Sequence, residues 1–409
     1  MKNYCLPLLL SLCLLYACSD SSDSRPAAPL PDLGTTVALA GGTVVGQDSE
    51  RADSWEWLGI PFAAPPVGEL RWRAPQPAAP LAGELAATSL PPECPQFDFF
   101  GQYVGDEDCL YLNVWRPRNQ ERDLPVFFWI HGGGNSSGAT NWAVYNGARL
   151  AEQANAVVVT VQYRLGPLGW LYYPPLHTGD PATDSGNFGT LDLIAALQWV
   201  QDNIAQFGGD PGSVTAAGES AGGANVLSLL LSDRASGLFQ RAVVQSAGGR
   251  TTEPAAGAAA AAALLDDLLA MEGATAAGLS AGEIADYLYA RSAEDLVRST
   301  VNTPAIFADG QVLPSAGFGL FDSGDFPNKV PLLLGTNRDE YKLYTNPLGY
   351  NVIPDASPEL NAAVGRYVSD MWRVSGADAI ATQLDALPDF PPLYVYRFNW
   401  GSPDADGNS

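Results

Sequence analysis

Gly218-Glu219-Ser220-Ala221-Gly222 decides the reading of this chain. A G-x-S-x-G pentapeptide between a strand and a helix lifts its serine onto a sharp turn, where the hydroxyl can attack a carbonyl carbon. Val214-Thr215-Ala216-Ala217 supplies a short strand before it, and residues 224–231 predict the helix after it. Such a serine needs a base, and in this architecture the chain order is serine, acid, histidine. The only histidines are His131 and His177, and both precede Ser220. The motif predicts a serine nucleophile and leaves its base unassigned.

The segments on either side predict the fold class. Val126-Phe127-Phe128-Trp129-Ile130 and Ala156-Val157-Val158-Val159-Thr160-Val161 are continuous apolar runs. Such runs suit strands buried on both faces of a mostly parallel sheet. Leu191, Ile194, Leu197, Val200 and Ile204 recur at helical intervals, with Gly208-Gly209 closing the segment. Residues 242–245 and 330–334 are further strand candidates, so strand and helix alternate as in a layered α/β domain. Residues 255–272, rich in alanine and leucine and followed by Gly273, predict a helix. With the stretch to about Val301 it forms a helical excursion, either a plain packing set or a cap that shapes the substrate cleft.

Composition narrows the class. In 409 residues, 46% hydrophobic content and ten tryptophans predict a globular protein. A formal charge of −24 excludes nucleic-acid binding, which needs clustered Lys and Arg. At the N-terminus, Lys2 precedes an apolar run over residues 6–16 that is too short to span a membrane. The run ends in Leu15-Tyr16-Ala17-Cys18, which resembles the lipobox of bacterial lipoproteins. Residues 1–17 are therefore read as a signal peptide and Cys18 as the lipidated residue, the chain's one membrane attachment. Cleavage after Ala17 without a lipid is the alternative, and either reading predicts export. Residues 18–36, rich in Ser, Asp, Pro and Ala, read as a flexible tether to a domain over 37–409. Cys94 and Cys109 remain in that domain, and an exported pair at this spacing predicts a disulfide. No metal-ligand cluster or nucleotide loop is present in the sequence, so no metal and no cofactor is expected.

His131-Gly132-Gly133-Gly134 follows the first strong strand. Glycines let the backbone approach a reacting group with its N–H groups turned outward. Gly133, Gly134 and Ala221, the residue after the nucleophile, are the candidate oxyanion-hole donors.

Further blocks carry a resemblance. Leu58-Gly59-Ile60-Pro61-Phe62-Ala63, Pro65-Pro66-Val67-Gly68 and Leu70-Arg71-Trp72 make an N-terminal block. Glu107-Asp108-Cys109-Leu110-Tyr111-Leu112-Asn113-Val114, Phe207-Gly208-Gly209-Asp210-Pro211 and the serine elbow follow. From about residue 40 onward the chain resembles the type-B carboxylesterases, the cholinesterase-like branch of the α/β-hydrolases. The resemblance implies an α/β-hydrolase fold, a small-molecule ester as substrate, and a Cys109 that pairs with Cys94. It implies that Glu340, at the end of Gly335-Thr336-Asn337-Arg338-Asp339-Glu340, is the triad acid, with Asp339 helping to hold the loop. It gives Glu219 a structural place beside the nucleophile. Two departures stand out: Tyr341 replaces the usual glycine, and Asn135 replaces an aromatic, which implies a more polar acyl side. No tryptophan matches the one that receives choline, which argues against quaternary-amine substrates.

In the family a histidine lies downstream of a strand similar to Tyr394-Val395-Tyr396-Arg397-Phe398-Asn399-Trp400. His131 reads as a brace of the glycine loop and His177 as a surface residue, so neither is the expected base. The sequence is therefore expected to be a fragment, truncated at the C-terminus, whose histidine lies beyond Ser409. As written it is expected to be nearly inactive. The complete protein reads as an exported ester hydrolase working through a serine acyl-enzyme. The alternative is a non-catalytic, cholinesterase-like binding or adhesion protein at the cell surface.

Overall fold

A computed structural model of the chain describes residues 32–299, 306–341 and 357–399. The signal sequence, Cys18, most of the tether, Val301 and residues 400–409 lie outside the described residues. Nine strands form the main sheet: β1 (Gln47–Asp48), β2 (Ser54–Pro61), β3 (Tyr111–Pro117), β4 (Leu124–Ile130), β5 (Val157–Val161), β6 (Gly209–Glu219), β7 (Arg241–Gln245), β8 (Leu332–Asn337) and β9 (Leu393–Phe398). Their spatial order is β9-β8-β7-β6-β4-β5-β3-β2-β1. The six strands from β9 to β5 run parallel, and β3, β2 and β1 join antiparallel at one edge. This is the mostly parallel sheet that the apolar runs predict. All five residues of β5 are buried, because helices cover parallel strands on both faces. Register follows from this burial: Val126 of β4 lies between Val157 of β5 and Val214 of β6.

The predicted helix before the elbow spans Phe188–Asn203 and runs into a 3-10 turn, Ile204–Phe207. Leu193, Ala196, Leu197 and Val200 sink its inner face into the core beneath β4 and β6. The turn stops at Gly208, whose φ of 80° lies in the left-handed region. A side chain there would also collide with the Arg116 guanidinium, 2.2 Å from the Cβ position. On the same helix, fully buried Asp192 holds Arg164 through two hydrogen bonds of 2.7 and 2.8 Å. This pair ties the segment after β5 to the helix, with the carboxylate geometry that a guanidinium fork matches.

The alanine-rich helix spans Pro254–Met271 and is followed by Ala281–Tyr289 and Ala293–Arg298. Its Leu264, Leu265, Leu268 and Leu269 are buried in a second apolar cluster with Trp72, Leu168, Leu171 and Leu288. Alanine favours the helix, and the leucine face fixes where it packs.

Cys94 and Cys109 form a disulfide, and both are fully buried. The bridge closes the loop ahead of β3. Replacing both cysteines by alanine is expected to lower stability by about 3 kcal/mol on the chain-entropy model. Chemical unfolding in urea measures this as a lower midpoint, with a steeper slope because the unfolded chain without the cross-link exposes more surface.

Candidate active site

β4, β6, β7 and β8 are neighbours in the sheet, and their C-terminal ends carry the candidate site. In open α/β sheets the crevice outside the carboxyl ends of the strands is the place where ligands bind. β6 ends at Glu219, and the helix Ala221–Leu231 begins two residues later. Ser220 alone makes the turn, with φ 55° and ψ −121°. An L-residue is held there only by its surroundings. Its N–H donates to Gln245 O at 2.8 Å, and its carbonyl accepts from Ala224 N at 3.0 Å. The flanking glycines are needed for space. A Cβ on Gly222 would sit 2.1 Å from Ile130 O, and one on Gly218 would sit 2.4 Å from Gly222 O.

After β4 comes the glycine loop. Gly133 and Gly134 have φ of 110° and 65°. The carbonyl of Gly133 is turned into the loop's own bend, where Ser136 N and Ser137 N donate to it at 3.1 and 2.9 Å. Among the described residues, the N–H groups of Gly133 and Gly134 donate to no protein acceptor. The N–H of Ala221, first in its helix, has no intrahelical partner either. A Cβ on Gly132 would lie 3.1 Å from Ser220 Cβ, so this loop passes directly against the nucleophile elbow.

His131 is fully buried. Its Nδ1–H donates to Gly132 O at 2.8 Å, and its ring stacks on Tyr163 at 4.4 Å. Tyr163 in turn donates to His131 O at 2.7 Å. Burial pulls the imidazole pKa down to about 4, so it is neutral near pH 7 and braces the loop. His177 is exposed beside Tyr172. Neither imidazole hydrogen-bonds Ser220.

Glu340 follows β8 on a short turn. Ser246 Oγ donates to its Oε1, Asn337 N donates to the same oxygen at 2.6 Å, and Asn337 Nδ2 reaches Oε2 at 3.2 Å. Ser246 stands directly after β7 with φ 53°, fixed by its N–H to Gly335 O at 2.8 Å. Tyr341, in the usual glycine's place, donates its N–H to Ser369 Oγ at 3.0 Å. Glu219 is half-buried, and its pKa is raised first by burial and then by the charge of Glu340. Tyr396 of β9 feels both carboxylates, and burial followed by Glu340 and Glu219 pushes it to about 12. The fold thus brings Ser220, the glycine loop, Glu219 and Glu340 to one end of the sheet.

A cavity of about 690 Å³ opens on this cluster, lined by Ser220, Ala221, Gly134 and Asn135 on its sheet side. Val368, Met371 and Trp372 of the helix Pro358–Arg373 form the facing wall, with Ser375 and Gly376. The sequence reading missed this wall; its one signal was Trp372 on an amphipathic helix. It missed Ser246 too, which announces itself only as a serine at a strand end. Among the described residues, none of Pro254–Met271, Ala281–Tyr289 or Ala293–Arg298 lines the cavity, and the leucines of the first helix pack into the second apolar cluster. Asn135 lines the cavity, with its amide engaged beneath it. Its amide pairs reciprocally with Asn225, at 2.9 and 3.3 Å, and both are buried.

Comparison with known proteins agrees with this architecture. The family model described as the carboxylesterase family matches residues 34–398. The chain is 35% identical over 382 residues to the para-nitrobenzyl esterase of Bacillus subtilis (strain 168), covering 84% of this chain and 75% of that protein. It is 38% identical over 353 residues to the medium-chain fatty acyl-CoA hydrolase precursor of Anas platyrhynchos, covering 81% and 61%. The match thus spans about three fifths of the Anas protein and three quarters of the Bacillus one. The solved structure of a PNB esterase superposes with a TM-score of 0.76 at 33% identity, over 92% of this chain and 83% of that one. The chain belongs to the carboxylesterase family and has the α/β-hydrolase fold.

Proposed function

We propose that the protein is an exported carboxylic ester hydrolase acting on small-molecule esters through an acyl-enzyme on Ser220. One observation carries the reading: Ser220 stands at φ 55° on the elbow, between unengaged N–H groups of the glycine loop and a carboxylate fixed by three hydrogen bonds. Ser220 Oγ attacks the ester carbonyl carbon and loses its proton to a histidine. The carbonyl oxygen becomes an oxyanion that Gly133, Gly134 and Ala221 N–H receive, each worth about 2.7–4 kcal/mol in the transition state. The C–O bond then breaks, the histidine returns the proton to the departing alkoxide, and the acyl group remains on Ser220. Water, activated by the same histidine, releases the acid.

Glu340 orients that histidine and stabilises its cationic form. We take the histidine to be one these 409 residues do not include, because His131 is buried and committed to the loop and His177 is exposed beside Tyr172 with no hydrogen bond to Ser220 or Glu340 among the described residues. Export rests on the apolar run over residues 6–16 and on Cys18, which we propose is lipidated. The full-length natural protein is expected to release para-nitrophenol from para-nitrophenyl acetate and butyrate, with the acyl group recoverable on Ser220 after acid quenching. A folded full-length protein that releases none would reject the reading.

A further inference from the structure

We infer that Arg250 selects esters carrying a carboxylate remote from the scissile bond, so that the preferred substrates are half-esters of dicarboxylic acids or esters of similar anionic character. The inference rests on the ester-hydrolase reading above, and it names the substrate class of that same site.

Apart from Ser220 and the loop glycines, the cavity wall is largely apolar, with Ala224, Ala247, Ile306, Val368 and Met371 among its residues. Arg250 is the one charged side chain among the described residues lining it. The other polar side chains of the lining are committed inside the protein. Ser246 Oγ donates to Glu340, Asn135 is paired with Asn225, Trp372 Nε1 donates to Ser246 O at 3.1 Å, and Ser375 Oγ donates to Met371 O at 2.8 Å. Among the described residues lining the cavity, the Ser220 hydroxyl and the Arg250 guanidinium are the side-chain donors with no partner inside the protein. Pockets take their specificity from such sparse, convergent polar groups on an apolar wall.

The electrostatics point to an anion. The chain carries 45 acidic residues against 21 basic ones, so a guanidinium has many available partners. Arg164, Arg338, Arg373 and Arg397 are in ion pairs, while Arg51, Arg149, Arg234 and Arg241 are in none among the described residues, so what sets Arg250 apart is its place on the cavity wall. Arg250, at the end of the segment that carries Ser246 into the cavity, pairs with no carboxylate among the described residues. The planar fork of an arginine fits a carboxylate with two parallel N–H···O bonds. Glu219 and Glu340 lie on the sheet side, where they repel a second negative charge next to the nucleophile. A substrate carboxylate is therefore favoured at Arg250 and disfavoured at Ser220, which sets the direction in which the ester lies.

The test compares para-nitrophenyl hydrogen succinate, glutarate and adipate with isosteric neutral esters that end in an isopropyl group, on the full-length natural protein. At one of the three lengths kcat/KM for the acid ester is expected to exceed that for its neutral isostere. In Arg250→Gln the ratio of the two falls about tenfold, through a rise in the KM of the acid ester, as for a charged hydrogen bond weakened by solvent exposure. Arg250→Lys retains part of the ratio. A ratio unchanged in Arg250→Gln, or absent at all three lengths in the wild type, overturns the inference.

A binding arm separates this failure from failure of the esterase reading. Ser220→Ala protein is titrated calorimetrically with the mono-para-nitroanilides of the same diacids, which require no turnover. Binding about tenfold weaker on adding Arg250→Gln supports the anion site even if no ester is hydrolysed. Equal binding, or no binding to Ser220→Ala protein, rejects it.

Discussion

Replacing Ser220 by alanine in the full-length natural protein is expected to lower kcat on para-nitrophenyl esters by about 10⁶-fold. The unfolding midpoint in urea should stay where it is. Removing the hydroxyl removes the atom that forms the acyl-enzyme. Only binding and the oxyanion donors remain, which together leave a residual about 10³–10⁴ above the uncatalysed rate. Stability is the control. Ser220 is held at φ 55°, and alanine, which also carries a Cβ, meets the same left-handed strain. The backbone anchors, Ser220 N to Gln245 O and Ala224 N to Ser220 O, are retained. A large loss of kcat with an unmoved midpoint therefore reports chemistry and leaves no room for unfolding.

Glu340→Gln is the second large effect, a fall of about 10⁴ in kcat. The carboxylate accepts from Ser246 Oγ, Asn337 N and Asn337 Nδ2, so both of its oxygens are acceptors. Glutamine keeps one oxygen and presents an NH₂ where the other stood. That amide faces donors on one side and gives no charge to support an imidazolium on the other. Asp339→Asn is the matched control, because it removes the adjacent carboxylate. Asp339 is joined to Arg338 at 2.9 Å in a partly exposed pair, a geometry typically worth under about 1 kcal/mol. It is expected to alter kcat by less than about threefold. Equal losses at both positions would reassign the acid.

The sequence was legible where local pattern decides structure. The apolar runs of β4 and β5 read as buried parallel strands because every residue must satisfy both faces. The elbow and glycine loop read as a unit because the turn and the close approach require glycine. Gly222 against Ile130 O and Gly132 against Ser220 Cβ are the contacts behind that requirement. Glu340 was found by resemblance alone, since nothing in its spacing from Ser220 marks it out among the acidic residues.

Long-range features stayed hidden. Ser246 holds Glu340 across 94 residues, and Asn135 finds Asn225 across 90. In both cases the partner is set by the order of the strands in the sheet, which sequence order does not announce. The same holds for the wall of the cavity. The segment over 254–298 reads as either a packing set or a cap, and its leucines are buried in one cluster with Trp72 and Leu168. The facing wall comes instead from Pro358–Arg373, a helix whose exposed Met371 and half-exposed Trp372 reveal nothing until they are seen opposite Ser220.

Everything above depends on Ser220 being an activated nucleophile. Treating the full-length natural protein with a fluorophosphonate and locating the adduct by peptide mass spectrometry tests it most directly. One adduct is expected, on Ser220, and heat denaturation before treatment abolishes it. A folded protein that takes up no probe, or takes it up at another residue, would contradict the account and favour a binding protein built on the esterase fold.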